Sequence, residues 1–488
     1  MASKMKEGYE VSKREKLIFA SADIYGGGGG ALIGAIYFCY LVAMGVGTVW
    51  AGAIIAVARI WDAVTDPLMG VIGDNTRSKY GRRRPYILFG GMVIIISFAL
   101  VFLPLGSLGS KGIKIAIYLL AYIFYNTVST IVNVSYSSFS TELSRNPRET
   151  TQINAMRLLF SMVSSGIAVV GGTFLLDKFF TGALSVNAIY FIVVFGFGAL
   201  YTIPLILTGF FTKERVVLPE TKSTFTIKTF LKPFTVKSFI FLLVSYLTAY
   251  ACMDLLSTNI VYFANYALSG IAGGAVILAV IMVFTALTLP VYYILMSKGF
   301  SKPKLFVSGI PLYIVGIILL TMLPIKSLPV LIVVCIIIGL GMGGSQMLPW
   351  IIFPDVVDVA ELKFGNRPTG SFSGVMTFIK KCSSALAIFL SGIVLKAVGF
   401  NEPIANEVTG RINYQDFPQT ETAVWGIRLL ILIAVIIFMS VSFISMSRLK
   451  ITRPLTEKVR ELIDKRNRGE EYSEEDKQAY ANIEKTLF

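Results

Sequence analysis

The sequence contains no histidine, the side chain most often used for proton transfer near neutral pH and for binding transition metals. A histidine-based metal or catalytic centre is therefore excluded, and any proton relay must use carboxylates. Cysteine is also scarce. The four cysteines lie in apolar stretches without the spacing of metal ligands, so we interpret them as packing residues. They are Cys39, Cys252, Cys335 and Cys382.

Charge is scarce as well, since charged residues make up 15% of the 488 residues and hydrophobic residues 55%. A soluble domain of this length carries far more charge, so the composition predicts a polytopic membrane protein. The net charge of +15 could indicate nucleic-acid binding. However, the lysines and arginines lie in short loops between apolar stretches, as in the cytoplasmic loops of membrane proteins. We therefore expect membrane lipid around the protein and no nucleic-acid partner.

Twelve apolar stretches are long enough to cross a membrane at about 20 residues per span. Their predicted limits are 17–46, 48–74, 86–106, 113–143, 150–176, 186–212, 238–266, 270–297, 303–323, 327–354, 371–399 and 422–448. The loops after the even-numbered spans are basic, and the others are nearly free of Lys and Arg or hold more acids than bases. The positive-inside rule then predicts that both termini lie in the cytoplasm. We expect the protein in the inner membrane of a cell.

The longest basic loop follows the sixth span and divides the chain into two halves. We predict an N-terminal six-helix bundle (1–212), a cytoplasmic linker (213–237), a C-terminal six-helix bundle (238–448) and a cytoplasmic tail (449–488). The fold class is thus an all-α membrane protein with two bundles and a substrate path between them.

Two carboxylates lie one helical turn apart inside the second stretch. With this spacing, Asp62 and Asp66 project from one helix face and can bind one small cation. Two neighbouring acids at membrane depth can both stay ionised only when a cation lies between them. Otherwise one of them holds a proton. Pro67 also leaves the carbonyl oxygen of Ala63 without its helical donor, which offers a further ligand. The pair therefore predicts a Na+ or H+ site; in the alternative, Asp62 pairs with Arg59 and only braces the helix.

Five consecutive glycines, Gly26 to Gly30, lie in the first stretch. Such a run lets another backbone or a ligand approach closely, so it predicts either tight helix packing or a direct role in substrate binding. Asp23 lies one turn before Gly27 on the same face, and its carboxylate could reach the same space.

Further polar groups lie within the spans, where they face the protein interior or a wet cavity. In the fourth stretch Thr130, Asn133 and Ser137 share one face with Tyr136 beside them, although some of these groups could instead bond neighbouring helices. Arg157 in the fifth stretch requires an acid or a ligand oxygen when buried.

Two adjacent lysines, Lys380 and Lys381, lie about ten residues inside the eleventh stretch, too deep for both to reach the membrane surface. We expect one of them to pair with a distant acid and the other to face the substrate cavity.

The segment RIWDAVTDPLMGVIGD, with GRRRP after it, resembles the second helix and following loop of the glycoside–pentoside–hexuronide:cation symporters. Within it, GVIGD and GRR resemble the loop signature of the wider major facilitator superfamily. A second match, PDVVDVAE through GVMTFIKK at 354–381, resembles the symporter signature between helices 10 and 11. With the twelve-span layout, the resemblance covers nearly the whole chain.

The resemblance implies roles for individual residues. Asp62 and Asp66 match the cation-binding acids, and Thr130 matches a hydroxyl ligand from helix 4. Thr65 stands where a member that transports melibiose has an asparagine. Arg157 and Lys381 match positions that line the sugar and cation cavity, and Thr377 lies on the sugar side of helix 11.

This sequence departs from the family at the sugar-binding acids. The helix 1 acid falls at Gly26 or Gly27, and the helix 4 acid aligns with Asn133, followed by Ser137 in place of an aromatic residue. The cation machinery is thus intact and the melibiose clamp is not, so we expect another substrate. The predicted substrate-binding residues are Asp23, Asn133, Tyr136, Arg157, Thr377 and Lys381.

The resemblance also implies cytoplasmic salt bridges that hold an outward-open state. They would join the basic loop of Arg82, Arg83 and Arg84 to acids of two helices, unless that loop only fixes topology. The acids are Asp74, Asp355, Asp358 and Glu361.

We therefore expect a monomeric, cation-coupled symporter of a sugar, glycoside or hexuronide that works by alternating access. It would need no cofactor beyond Na+ or H+ as coupling ion. The alternative solute is a lysolipid, since animal lysolipid symporters share the acid pair. A membrane enzyme would need a nucleophile with a base or a metal site, and the sequence contains no such constellation. Two basic residues and few acids in the cavity favour an anionic substrate such as a hexuronide.

Overall fold

The computed structural model describes residues 11–144, 147–215, 231–365 and 369–488, and these residues are helical apart from loops and one isolated bridge, Thr181 to Asn413. Twelve helical segments among them are long and apolar enough to cross a membrane. The prediction of an all-α, twelve-span membrane protein is therefore confirmed. Large apolar side chains such as Phe89, Leu120 and Phe210 remain exposed on these segments, as on helices that face lipid.

The helices that build the first six spans are α1 (Lys13–Ser21), α2 (Asp23–Ala43), α3 (Thr48–Asn75), α4 (Arg84–Val101), α5 (Lys111–Glu142), α6 (Pro147–Phe180), α7 (Val186–Phe191) and α8 (Gly198–Phe211), with a π-helical segment at Ile192–Phe197. The last six spans are α9 (Lys237–Tyr262) with a π-helical segment at Phe263–Ala267, α10 (Gly274–Ser297), α11 (Lys302–Met322), α12 (Leu328–Phe364), α13 (Thr369–Ala397) and α14 (Glu421–Arg448). Two helices follow, α15 (Arg453–Arg468) and α16 (Glu474–Leu487), and short 3-10 segments lie at Lys232–Thr235 and Tyr414–Asp416.

One helix is clearly longer than its prediction. The tenth span was predicted to end at residue 354, but α12 continues through Pro354 to Phe364. A proline removes only one backbone donor, and the flanking turns keep theirs. The helix ends where Gly365 adopts a φ of 81°, a left-handed conformation that favours glycine.

The chain forms two compact units. Unit 1 contains the described part of Met1–Phe225 together with Gly273–Val276 and Ile388–Val424. Unit 2 contains the described part of Thr226–Ala272, with Ile277–Ala387 and Trp425–Phe488. Most of the predicted linker, residues 216–230, lies outside the described residues. The predicted bundle limits therefore stay predictions.

In unit 1, α2 packs closely along α6. A Cβ atom at Gly27 would lie 2.1 Å from the carbonyl oxygen of Ser161, and one at Gly172 would lie 2.7 Å from the Leu32 side chain. Such a close approach of two backbones requires glycine. The packing interpretation of the glycine run therefore applies at Gly27.

In unit 2, the tail forms two helices, and the first of them, α15, packs on the end of α12. Val459, Leu462 and Ile463 of α15 are buried, and Arg466 Nη1 donates to the carbonyl oxygens of Glu361 and Leu362 at 3.1 Å each. The amphipathic pattern of α15 is thus explained by docking on the protein.

Candidate functional site

Three oxygen atoms converge where α3 and α5 pack together in unit 1. The hydroxyl oxygen of Thr130 lies 2.5 Å from Oδ1 of Asp62 and 2.9 Å from Oδ1 of Asp66. Asp62 and Thr130 are 8% and 3% exposed, and Asp66 is partly buried. The spacing of one turn on α3 thus brings both carboxylates to one hydroxyl of a second helix.

The shared hydroxyl has a single proton, which it can donate to only one carboxylate at a time. The other carboxylate oxygen then faces the hydroxyl oxygen without a proton between them. A proton on one carboxyl group, or a cation among the three oxygens, relieves this repulsion. Oxygen ligands of this kind suit a hard cation. The described residues contain no group of three or more His, Cys, Asp or Glu placed to hold a metal ion, so the cluster depends on two acids and a hydroxyl.

The backbone next to the acids is also unusual. Pro67 lies inside α3 and has no N–H to donate, so the carbonyl oxygen of Ala63 loses its usual helical partner. Thr65, predicted as a further cation ligand, donates its hydroxyl proton to the backbone oxygen of Asp62 at 3.1 Å. Thr65 therefore contacts the backbone that carries the acid, and its role as a direct ligand stays a prediction.

Asn126 is a buried polar residue of this region that the sequence analysis missed. Its Nδ2 donates to the carbonyl oxygen of Ala58 at 3.3 Å and so ties α5 to α3. It lies one turn before Thr130 on the same face of α5, and this spacing is the signal that could have found it.

Arg59, the alternative partner of Asp62, lies near the side chain of Tyr122 on α5 and interacts with it electrostatically. It also lies one turn before Asp62 on α3, so the bracing role remains an alternative to the cation site. Substitution of the acids separates the two, as described below.

A second polar cluster lies between α2 and α6. Arg157 Nε donates to Asp23 Oδ2 at 3.1 Å, and the two side chains are only 13% and 9% exposed. Arg157 also donates from Nη1 to Asn154 Oδ1 at 3.3 Å, and its guanidinium carbon lies 4.4 Å from the ring centroid of Tyr136. The acid that a buried Arg157 requires is thus Asp23. Asn154, one turn before Arg157, was not predicted.

Asn133 lies close to this ion pair. A Cβ atom at Gly26 would lie 2.1 Å from Asp23 Oδ1 and 3.9 Å from Asn133 Oδ1. Gly26 therefore leaves room for the Asp23 carboxylate, whereas Gly27 serves helix packing. Asn133 Nδ2 donates to Ser129 Oγ at 3.1 Å, which fixes the amide on the same face of α5.

Tyr136 differs from the other predicted substrate residues. Its hydroxyl donates to the carbonyl oxygen of Phe19 at 2.7 Å, and its side chain is 2% exposed. Its ring supports the Arg157 guanidinium by a cation–π contact. A direct contact with substrate stays a prediction for this residue.

The remaining predicted substrate residues lie on α13 in unit 2. Thr377 is exposed and lies one turn before Lys381. The neighbouring Lys380 places its ammonium group 4.0 Å from the ring centroid of Tyr250, whose hydroxyl donates to the carbonyl oxygen of Gln346 at 3.1 Å. A cation–π contact was not predicted for Lys380.

The predicted gating acids of α12 have basic partners within unit 2. Lys302 Nζ lies 2.5 Å from Asp355 Oδ2, and Arg460 of the tail binds Asp355 at 3.2 Å and Asp358 at 2.9 Å. Sequence reasoning missed Arg460 because it assigned no chemistry to the tail. The backbone oxygen of Glu361 accepts a hydrogen bond from Arg466 Nη1. The predicted bridges from these acids to the basic loop stay untested.

The basic loop has an acid of its own unit. The Glu214 carboxylate accepts the backbone N–H groups of Arg82 and Arg83 at 2.7 Å each and that of Arg84 at 3.1 Å. It thereby caps the N-terminus of α4, where a carboxylate is stabilised by the unpaired N–H groups. The side chain of Asp74 lies outside the described residues.

The chain is similar to known proteins that are named as transporters. Residues 19–453 match the family model described as MFS/sugar transport protein. The chain is 28% identical to a Salmonella typhimurium protein named as a candidate sulfoquinovose importer, with 86% of each chain covered. It is 25% identical to the glucuronide carrier protein homolog of Escherichia coli, covering 84% of this chain and 87% of that protein. It is also 25% identical to the sodium-dependent lysophosphatidylcholine symporter 1 of Gallus gallus, covering 79% and 80%.

A solved structure with a similar fold is a bacterial homologue of the human lysosomal transporter Spinster, in an inward-facing and unoccupied conformation. The TM-score is 0.59 at 15% identity, with 90% of this chain and 98% of that chain covered. At this identity the likeness extends to the fold alone.

Proposed function

The chain belongs to the family of MFS/sugar transport proteins, and from this premise we propose that it is a Na+-coupled symporter of a sugar, glycoside or hexuronide. It would work in the inner membrane of a cell, with both termini in the cytoplasm, by rocking of its two six-helix bundles. The narrower assignment to the glycoside–pentoside–hexuronide:cation symporters belongs to this proposal.

The observation that carries the proposal is the convergence of Asp62, Asp66 and Thr130 on one point inside the span region. The Thr130 hydroxyl oxygen lies 2.5 Å from Asp62 Oδ1 and 2.9 Å from Asp66 Oδ1. One added positive charge stabilises this arrangement. A Na+ ion or a proton supplies that charge. The relative named as a sodium-dependent symporter favours Na+ as the coupling ion.

Helix α5 offers a physical route from the cation to the substrate. It carries Thr130 in the acid cluster and, within one turn, Asn133 beside the Asp23–Arg157 pair. A cation that fixes Thr130 also fixes the part of α5 that carries Asn133. Each ligand would then raise the affinity for the other by the same factor, as linkage requires.

The Asp23–Arg157 pair suits a sugar with an acidic group. A carboxylate such as that of Asp23 accepts hydrogen bonds from sugar hydroxyls, and the planar guanidinium of Arg157 binds carboxylate or sulfonate oxygens in pairs. Two relatives are named for a glucuronide and for sulfoquinovose, both acidic sugars. The lysophosphatidylcholine relative keeps a lysolipid as the second candidate solute.

Uptake by the purified protein in proteoliposomes tests this function. We expect a glucuronide to accumulate when an inward Na+ gradient is imposed, and not to accumulate in Asp66→Asn vesicles. Thr127→Ala is a matched control, because Thr127 lies one turn before Thr130 and binds Trp61 and the backbone of its own helix. Uptake of every tested sugar and lysolipid that ignores both Na+ and proton gradients would contradict symport. If lysophosphatidylcholine is the only solute whose uptake follows a gradient, the transported substrate is a lysolipid and not a sugar.

A further inference from the structure

A pocket lies in unit 1, far from both polar clusters. It has a volume of about 420 Å³, and its lining includes Gly47, Trp50, Lys111, Lys396, Asn401 and Glu402. These residues lie at the first turns of α3 and α5 and around the end of α13. At a rise of about 1.5 Å per residue, the start of α3 is about 21 Å from Asp62 along the helix. We call this space the outer pocket.

From the order of the spans, we expect the outer pocket to face the side of the membrane opposite the tail. The loop between the first two spans, the start of the fourth span and the end of the eleventh all meet there. In a chain of twelve spans these three positions share one side, and the tail that follows span twelve lies on the other. With cytoplasmic termini, as proposed above, the outer pocket faces the side from which substrate arrives.

Positive charge exceeds negative charge in the outer pocket. Lys111 and Lys396 are both exposed, and neither has an acid within ion-pair distance among the residues that the structure describes. Glu402 is partly buried, and its Oε1 accepts the backbone N–H of Thr48 at 2.7 Å. The start of α3 thus fixes the carboxylate, while the two ammonium groups stay available to a ligand.

Gly47 leaves room for the charged ends of both Lys111 and Glu402. Its φ is 90°, and a Cβ atom there would lie 3.1 Å from Lys111 Nζ and 3.4 Å from Glu402 Oε2. Any side chain would therefore displace a charged group and strain the backbone. Buried Lys114, near the start of α5, donates from Nζ to the carbonyl oxygens of Met44 and Gly106 at 3.2 Å and 2.7 Å and so ties α5 to the loop before α3.

Other groups in the outer pocket suit a carbohydrate. Trp50 is 52% exposed and offers an indole ring to the apolar face of a sugar. The loop that carries Asn401 is fixed by Gln419, which donates from Nε2 to the Asn401 carbonyl oxygen at 2.7 Å. Carboxylate and amide groups bind sugar hydroxyls, and the ammonium groups bind an acidic substituent. The volume falls within the range of small-molecule sites.

We propose that the outer pocket binds an anionic monosaccharide, of the hexuronate or sugar-sulfonate class, as an entry site distinct from the transport site. This inference rests on the proposed function for the identity of the solute. The excess positive charge raises the local concentration of the anionic solute at the entrance, and it discriminates against neutral sugars.

Tryptophan fluorescence tests the entry site directly. In a full-length variant with Trp61, Trp350 and Trp425 replaced by Phe, all tryptophan fluorescence comes from Trp50. We expect glucuronate to change this signal at lower concentration than glucose does. The response should persist when Arg157→Gln is added, because Arg157 lies in the other cluster. Lys111→Gln and Lys396→Gln should each weaken glucuronate binding by about fivefold, the effect of an exposed charge pair.

Lys326→Gln is the matched control, since Lys326 is an exposed lysine in a loop on the same side of the membrane but outside the pocket. It should leave the Trp50 response unchanged. In uptake measurements, Lys111→Gln should raise the KM for glucuronate about fivefold with kcat preserved, whereas a structural defect would lower kcat.

Three results would overturn the entry site. These are no Trp50 response to glucuronate, a response lost with Arg157→Gln and kept with Lys111→Gln, or tighter binding of glycerol phosphate than of glucuronate. The last result would assign the pocket to a phospholipid headgroup. Gradient-driven uptake is measured separately, so failure of symport with an intact Trp50 response contradicts the proposed function and leaves the pocket as a sugar-acid site.

Discussion

Thr130 contacts the Asp62 carboxylate at 2.5 Å although 68 residues separate them in the sequence. The same hydroxyl oxygen lies 2.9 Å from Asp66. One side chain of α5 thus joins two acids of α3, and any ion or proton that the acids take up also acts on α5.

Thr130→Ala removes the shared oxygen and should weaken Na+ activation of uptake by about tenfold, the effect of losing one charge-assisted contact. Thr130→Ser keeps the hydroxyl and should stay within about twofold of the wild type. The measurement is uptake rate against Na+ concentration at fixed substrate. Equal loss in Thr127→Ala, or full activity in Thr130→Ala, would contradict a role of the hydroxyl in cation binding.

The glycine run contains its own controls. A Cβ atom at Gly27 would lie 2.1 Å from the Ser161 backbone, whereas nothing lies within 4 Å of one at Gly30. Gly27→Ala should therefore prevent stable packing of α2 on α6. Gly30→Ala should keep the protein folded and stabilise it by up to about 1 kcal/mol through helix propensity. Size-exclusion profiles and thermal unfolding of the purified variants measure both.

Gly26→Ala should separate substrate binding from stability. Its Cβ atom would meet only the end of a flexible side chain, Oδ1 of Asp23, so the carboxylate must turn away while the backbone stays. We expect loss of sugar binding with a smaller loss of stability than in Gly27→Ala, because the turned carboxylate weakens only its ion pair with Arg157. A protein that unfolds like Gly27→Ala would assign Gly26 to packing as well.

The Asp23–Arg157 pair should show strong coupling. Loss of one partner leaves the other charge buried, at a cost of about 3 kcal/mol. Asp23→Asn and Arg157→Gln should each lower stability, and the double variant should be more stable than the sum of the two effects predicts. Denaturant unfolding of the three variants provides the cycle. Strict additivity would mean that the two side chains do not interact.

Docking of the tail helices should depend on pH through Asp476. Hydrogen bonds from Lys465 and Lys458 hold the pKa of Asp476 well below its ordinary range. A depressed folded pKa contributes stability above the unfolded pKa of about 3.9, and this contribution is lost as pH falls through the folded value. The tail should therefore stay docked at neutral pH and loosen only in strong acid.

Proteolysis of the tail tests the contribution of Asp476 to the contact between α15 and α16 without adding acid. Asp476→Asn should speed cleavage by trypsin between α15 and α16 at pH 8. Glu474→Gln should not, because exposed Glu474 pairs only with Lys477 among the ion pairs of the described residues. Identical cleavage rates for the wild type and Asp476→Asn would show that the acid does not hold the two helices together.

Much of the fold follows from the sequence. Spans are set by apolar length, and the count of twelve needed no tertiary information. The end of α12 was missed because the continuous apolar stretch stops at Pro354 and an acid follows it, although the helix continues to Phe364. The tail helices were left without a role because docking of α15 depends on the facing surface of α12, which a local pattern does not contain.

The candidate site was predictable where its residues share one helix. Asp62 and Asp66 are one turn apart, and this spacing predicted their shared site. Asn126 is also one turn from Thr130, but it was missed. Contacts between distant helices were not predictable from spacing. The partner of Arg157 is Asp23, 134 residues away in the sequence, and without a set of related sequences nothing local points to it. Thr130 entered the cation site only through resemblance to a family.

The cation site is tested most directly by equilibrium binding of radioactive 22Na+ to the purified protein. We expect one saturable Na+ per chain in the wild type and in Thr127→Ala, bound more tightly when a glucuronide is present. We expect none in folded Asp62→Asn or Asp66→Asn. Wild-type Na+ binding in Asp66→Asn would contradict the cation site, and so would a wild-type protein that binds no Na+ while it still accumulates sugar.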